Sequence, residues 1–247
     1  MSQENSNWIG NQTCAGFLGA LASTEPTPGG GAVAGLIGAT AAALGEMVAG
    51  YSLGKSGDPS IEESIETIKS ELGRARQVFL RLADEDAAAY AVLNVAFKQP
   101  KSDEGRKDAI RAGAAAAIQP PLATLATAGD VARLLEKLLP HSNRNLASDL
   151  GIAADLTIST ANAALWNIDA NASLLGDEGT EIQKRSCDLI NDISGRAGFV
   201  ETACQTHRTS WRSQGSSTRR RRTGAALTRR TRSGSASGSR AATPTAA

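Results

Sequence analysis

An all-α fold, an elongated up-and-down bundle of about five to seven helices, is predicted by three features of the sequence. Apolar residues recur at helical spacing through nearly every segment between Thr13 and Val200, and no convincing strand pattern falls between them. Aromatic residues make up only 4% of the chain while glycine and alanine abound. A core must then come from close backbone approach and small aliphatic side chains, which favours helix packed on helix. A chain of 247 residues, 41% of them hydrophobic, is long enough for one domain with a substantial core.

The first helix is predicted from Thr13, an N-cap residue type, with Phe17, Leu18 and Leu21 on one face. It stops at the breaker-rich segment Pro26-Thr27-Pro28-Gly29-Gly30-Gly31, and a second helix starts just beyond. There Val33, Leu36, Ile37, Leu44, Met47, Val48 and Tyr51 share one face, while Gly35, Gly38, Ala42, Gly45 and Ala49 leave the other sides nearly bare, as in a helix buried on several sides. Ser60-Ile61-Glu62-Glu63 reads as a capping box opening a long run to Phe97. At roughly 1.5 Å per residue its about 36 residues form a rod of about 54 Å, which suits an elongated bundle or a dimer. Ser102 is the expected cap of a fourth helix, kinked at Pro120-Pro121 and ending at Pro140. Asn145 or Ser148 begins a fifth that carries Leu150, Leu156, Leu165 and Ile168, and a last helix runs from about Thr180 to Val200.

Charge divides the chain in two. All 25 Asp and Glu lie at or before Glu201, and ten of the 26 Lys and Arg lie beyond residue 205, so residues 1–205 carry 16 − 25 = −9 and residues 206–247 carry +10. The acidic body would suit a high-salt cytoplasm. Residues 206–247 shift abruptly to Arg, Ser, Thr, Gly and Ala, including Arg219-Arg220-Arg221-Arg222, and are expected to be a disordered tail. A nucleic-acid arm, a solvated tail and an out-of-frame reading of GC-rich DNA are its three explanations; no nucleic acid is expected at residues 1–205. Cys14, Cys187 and Cys204 are widely spaced, without a CxxC or Cys/His pattern, so neither a disulfide framework nor a metal site is implied. The polar start and the absence of a breaker-free stretch of 18 apolar residues point to a cytoplasmic protein without a membrane partner.

Two phosphate-binding patterns are incomplete. Gly29-Gly30-Gly31-Ala32-Val33-Ala34 fits a relaxed GxGxxA but follows no strand, and Gly54-Lys55-Ser56 ends like a P-loop with Ala49 where its first glycine belongs. The glycines of residues 29–31 offer two other readings: backbone N–H groups at a helix start, suited to an anion or carbonyl oxygen, or a tight helix crossing. Asp86 shares a helical face with Leu82, Ala89 and Tyr90, so its pKa is expected to be raised, as a general acid or base requires; the alternative is a salt-bridged helix carboxylate. Asp84 and Glu85 are assigned to solvent. Asn145 with Asp149, and Asn167 with Asn171, lie one turn apart, so each pair could bind a heterocycle or could cap and cross-link helices. His141 and His207 are isolated residues with no role.

Taken in order, four segments resemble the formimidoyltetrahydrofolate cyclodeaminase and methenyltetrahydrofolate cyclohydrolase family over residues of about 8 to 201. They are Phe17 to Ser23 with the Pro26–Gly31 loop and the Ala-rich helix to Ala49; Asp86 to Tyr90 with Ala96 to Lys101; Asn143 to Ala154; and Asn167 to Asn171. The resemblance implies a dimeric all-α bundle with a folate pocket near the glycine loop and the aspartate helix. It implies Asp86 as the catalytic proton carrier, with Gly29, Gly30, Gly31, Asn145, Asp149, Asn167 and Asn171 holding the folate. No prosthetic group is expected, since the tetrahydrofolate derivative is the substrate. Hydrolysis of 5,10-methenyltetrahydrofolate to 10-formyltetrahydrofolate is the first expectation, because no formimidoyltransferase domain is fused to the chain. Cyclodeamination of 5-formimidoyltetrahydrofolate, in histidine or purine catabolism, is the second, and a non-catalytic helical binding protein with a basic arm is the remote third. Ile168-Asp169-Ala170 departs from the family's usual residues between the two asparagines.

Overall fold

The computed structural model describes residues 8–230, with side chains for 8–206. Seven α-helices and no strand occur among the described residues: α1 (Cys14–Leu21), α2 (Gly30–Ser52), α3 (Pro59–Lys98), α4 (Arg106–Ala117), α5 (Gln119–Leu138), α6 (Ala147–Ala172) and α7 (Asp177–Arg230). The chain divides between Gln205 and Thr206 into two units. The bundle described below is the first. Within the second, the backbone of α7 stays helical to Arg230, where a tail without structure was expected from residue 206. Arginine, a strong helix former, recurs through this stretch before the Ser/Gly-rich end.

Helix starts follow local chemistry, with corrections. Thr13 caps α1, its Oγ1 accepting from Gly16 N at 3.0 Å. The cap of α3 is Asp58 rather than Ser60: Asp58 Oδ1 accepts from Ser60 N at 2.9 Å, and Pro59 takes the first helical position, where no N–H is needed. Glu62 instead fastens the preceding turn, accepting from Gly54 N and Ser56 N at 2.7 and 3.0 Å. Ser102 caps nothing; α4 begins at Arg106 after Gly105. The proline pair separates α4 from α5 at Ile118, because prolines fit the first turn of α5 and cannot continue α4.

The core is centred on α2, packed against α3, α5 and α6. As expected, α2 is buried on several sides, with Val48 among its buried residues, and its closest packing runs through its small residues. Gly31, Ala34, Gly35, Gly38, Ala42, Gly45 and Ala49 are buried, whereas Leu36, Ile37, Met47 and Tyr51 stay partly or fully exposed. Small residues admit neighbouring helices to near backbone contact: a Cβ on Gly38 would stand 2.7 Å from the Phe79 ring, and one on Gly45 2.7 Å from Leu135 Cδ2. By length and mean hydropathy alone α2 could cross a membrane, and 56% of that stretch is buried inside the bundle. Ala and Gly supply that hydropathy, which is why no bulky apolar run announced it.

α6 lies antiparallel to α2. Gly30 sits beside Asn167 near the end of α6, while Ser52 Oγ accepts from Asn143 N at 2.9 Å just before α6 begins. This antiparallel pairing decides which polar residues can meet.

Candidate active site

The start of α2, the middle of α3 and the end of α6 converge on a cavity of about 240 Å³. Pro26, Thr27, Gly29, Gly30, Gly31, Asp86, Tyr90, Ala117, Asn167 and Asn171 line it. The Thr27–Pro28 peptide in its loop is cis. A Cβ on Gly31 would lie 2.1 Å from the Asp86 carboxyl, so only glycine lets that carboxyl rest against the first turn of α2. Of the two readings of the glycine loop, the tight crossing is observed, and it brings the backbone of the loop against the acid.

Asp86 makes no hydrogen bond or ion pair among the described residues, and burial pushes its carboxyl up to about 6. Charged form and neutral form are then both well populated near neutral pH. The start of α2 has no side-chain cap. Its first amides thus keep free donors beside the acid, and the positive end of the helix faces the cavity. Asn167 Nδ2 donates to Ala163 O at 2.9 Å and Asn171 Nδ2 to Asn167 O at 2.9 Å. Spending the N–H groups on the helix leaves both Oδ1 atoms as acceptors for N–H groups of a bound ring. One wall donates, the opposite wall accepts, and an acid of tunable charge stands between.

Other expected residues fall elsewhere. Asn145 is exposed in a 3-10 turn capped by Asn143, and Asp149 is half-buried in the first turn of α6. Both stand at the Ser52 end of α2, about 33 Å along that helix from the cavity by its rise per residue. Within one chain they do not join Asp86. One-turn spacing had defined two local patches without revealing that α6 carries them to opposite ends. Asp84 does not face solvent; its Oδ1 accepts from Ile9 N at 3.0 Å, and burial raises its pKa. Asp169 accepts from Gln183 Nε2 at 3.0 Å and turns away from the cavity, and Glu85 is exposed as expected. Tyr90, Pro26 and Thr27 are additional lining residues. Tyr90 could have been found as the residue one turn beyond Asp86. A larger groove of about 440 Å³ runs between α3 and α5, and most of its charges already pair, Arg74 with Glu71 and Arg133 with Asp130.

A half-buried, unpaired carboxyl against a helix start, faced by amide acceptors in an all-α bundle, is an arrangement equipped to move a proton on a bound ligand. Residues 13–186 match the family described as Formiminotransferase-cyclodeaminase, and the chain belongs to it. The methenyltetrahydrofolate cyclohydrolase of Methylorubrum extorquens is 31% identical over 172 residues, covering 68% of this chain and 83% of that protein. The formimidoyltransferase-cyclodeaminase of Gallus gallus is 28% identical over 190 residues, 74% of this chain, and the match spans 35% of that longer protein. Among solved structures, the formiminotetrahydrofolate cyclodeaminase of Thermotoga maritima superposes with a TM-score of 0.69 at 29% identity, covering 81% of this chain and 96% of that one. The protein is thus an enzyme of folate one-carbon chemistry, of the cyclohydrolase and cyclodeaminase kind.

Proposed function

We propose that the chain hydrolyses 5,10-methenyltetrahydrofolate to 10-formyltetrahydrofolate, with Asp86 moving the proton. The observation that carries this reading is the lone Asp86 carboxyl, pushed up to about 6 by burial beside the free amides of α2. As carboxylate it takes a proton from water as the oxygen bonds to the methenyl carbon, giving a neutral tetrahedral carbinol. As carboxylic acid it returns that proton to N5 while the carbon–N5 bond breaks. The carbinol O–H then loses its proton to solvent, leaving the formyl group on N10. The Oδ1 atoms of Asn167 and Asn171 accept from the ring's N–H groups and hold the carbon near Asp86.

Support for the hydrolytic direction comes from the Methylorubrum extorquens relative, which matches along most of its own length. The Thermotoga maritima structure favours the second reading, cyclodeamination. There N10 attacks the formimidoyl carbon on N5, and Asp86 protonates the departing amine so that ammonia leaves. The same acid at the same carbon serves both.

Purified full-length protein given 5,10-methenyltetrahydrofolate is expected to bleach the methenyl absorbance at a rate that Asp86→Asn removes. Methenyl formation with ammonia release from 5-formimidoyltetrahydrofolate, and no bleaching, would move the assignment to cyclodeamination. Silence toward both folates would overturn the proposal.

A further inference from the structure

The ten arginines beyond residue 205 take no part in the folate chemistry, and no acid follows Glu201 to offset them. Their spacing acquires an order once the backbone is helical. α7 continues as a helix to Arg230, and at about 100° per residue Arg208, Arg212, Arg219, Arg222, Arg229 and Arg230 take register positions within an arc of about 100°. Of the eight arginines between residues 206 and 230, Arg220 and Arg221 alone fall outside that arc. The stretch is thus a helix with one basic face.

Length, charge and composition decide what such a face fits. From Arg208 to Arg230 the helix rises about 33 Å, nearly the ~34 Å of one turn of B-DNA, and arginine is the side chain that pairs with phosphate through two parallel N–H groups. A bilayer surface would require an apolar face beside the basic one, but Trp211 and Leu227, the large apolar residues of this stretch, take positions about 160° apart. A single strand would require a row of aromatic rings, and Trp211 is the one aromatic residue beyond residue 205. The major groove of B-DNA admits a helix, whereas that of an RNA duplex is too narrow. Residues 1–205, at 16 − 25 = −9, repel phosphates, so the attraction must come from this segment alone.

We propose that α7 beyond residue 206 binds duplex DNA through this arginine face, by contacts to phosphates that carry no sequence preference. Six phosphate contacts fix the size of the effect. Counterions released from them give log K a slope of about −5.4 against log salt, a loss of about 10³-fold in affinity between 0.05 and 0.2 M potassium chloride. The binding stands apart from the folate reading and neither requires it nor bears on it.

Full-length protein is titrated into a fluorescein-labelled DNA duplex of about 24 base pairs, and anisotropy is followed between about 0.05 and 0.2 M potassium chloride. Saturable binding that weakens about 10³-fold across that range, alike for a duplex of different sequence, is the expected result. A second full-length variant keeps the net charge and breaks the register: Arg212→Ser with Ser210→Arg, and Arg219→Ser with Ser217→Arg, move two arginines to the far side of the helix. Its slope is expected to shrink to about −3.6 and its affinity at the lower salt to fall at least tenfold, with the melting of the bundle unchanged. Equal binding by this variant would mean diffuse charge attraction and overturns the arginine face. Wild-type protein that leaves the duplex free at the lower salt overturns the proposal outright. So does tighter binding to an RNA duplex of the same length, or to phosphatidylserine vesicles, than to DNA.

Discussion

Asp86 carries the heaviest chemical load on one residue, and its environment sets two opposed consequences. Its carboxyl has an unfolded value of 3.8 and a folded value of about 6. The native state therefore binds the extra proton between these values, and stability from this group is present below pH 3.8 and lost as pH rises through 6. Asp86→Asn is expected to raise stability at pH 7 by about 1–3 kcal/mol, measured by urea unfolding, while lowering turnover by roughly 10²–10⁴-fold. With the carboxylate acting as base, the wild-type rate is expected to fall tenfold per pH unit below about 6. Gly31→Ala would drive a methyl into that carboxyl, so at least a tenfold loss of turnover with an unchanged circular dichroism spectrum is expected. Asp86 was legible from its place on the apolar face of α3. Asp84 was not, because its partner Ile9 comes from 75 residues away and no local pattern announces it.

At the scale of the element, α2 explains both what could and what could not be read. Its limits follow from the Gly29 breaker and from the apolar run to Ser52. Its burial on several sides was legible from the glycines and alanines among its larger residues, but which side packs closest was not, because periodicity does not say which neighbours approach to near backbone contact. Gly38→Ala tests this directly: a methyl 2.7 Å from the Phe79 ring is expected to destabilise by about 1–3 kcal/mol, although alanine is the better helix former. Asp58→Ala is expected to lose about 1 kcal/mol of stability by removing the cap of α3, with Ser60→Ala costing less, because Ser60 Oγ itself donates to Asp58 rather than capping the helix. The split of α4 from α5 was half legible: the proline pair marked the place, but a kink and a break use the same residues and differ only in how the neighbours pack.

Over the whole molecule, the segregation of charge is as marked as the fold. The first 205 residues carry 16 − 25 = −9, so salt that screens their mutual repulsion is expected to raise the melting temperature of a 1–205 fragment, rather than lower it, between about 0.05 and 1 M potassium chloride. All-α architecture and the pairing of the glycine loop with Asp86, Asn167 and Asn171 were legible from periodicity and from four segments in order. The remoteness of Asn145 and Asp149 was not, because one-turn spacing says nothing about which end of a long helix meets which neighbour. The uncapped start of α2 also leaves a trace in amide hydrogen exchange. The N–H groups of Gly30, Gly31 and Ala32 have no acceptor within the helix, and Gly30 and Gly31 border the cavity, while the N–H groups from Ala34 to Ala49 lie deep in the bundle. In the free protein those first three amides will exchange early and the rest of α2 late. A molecule seated on the helix start slows the early three and leaves the others unmoved, so deuterium uptake at this short stretch reports occupancy of the cavity without a single turnover.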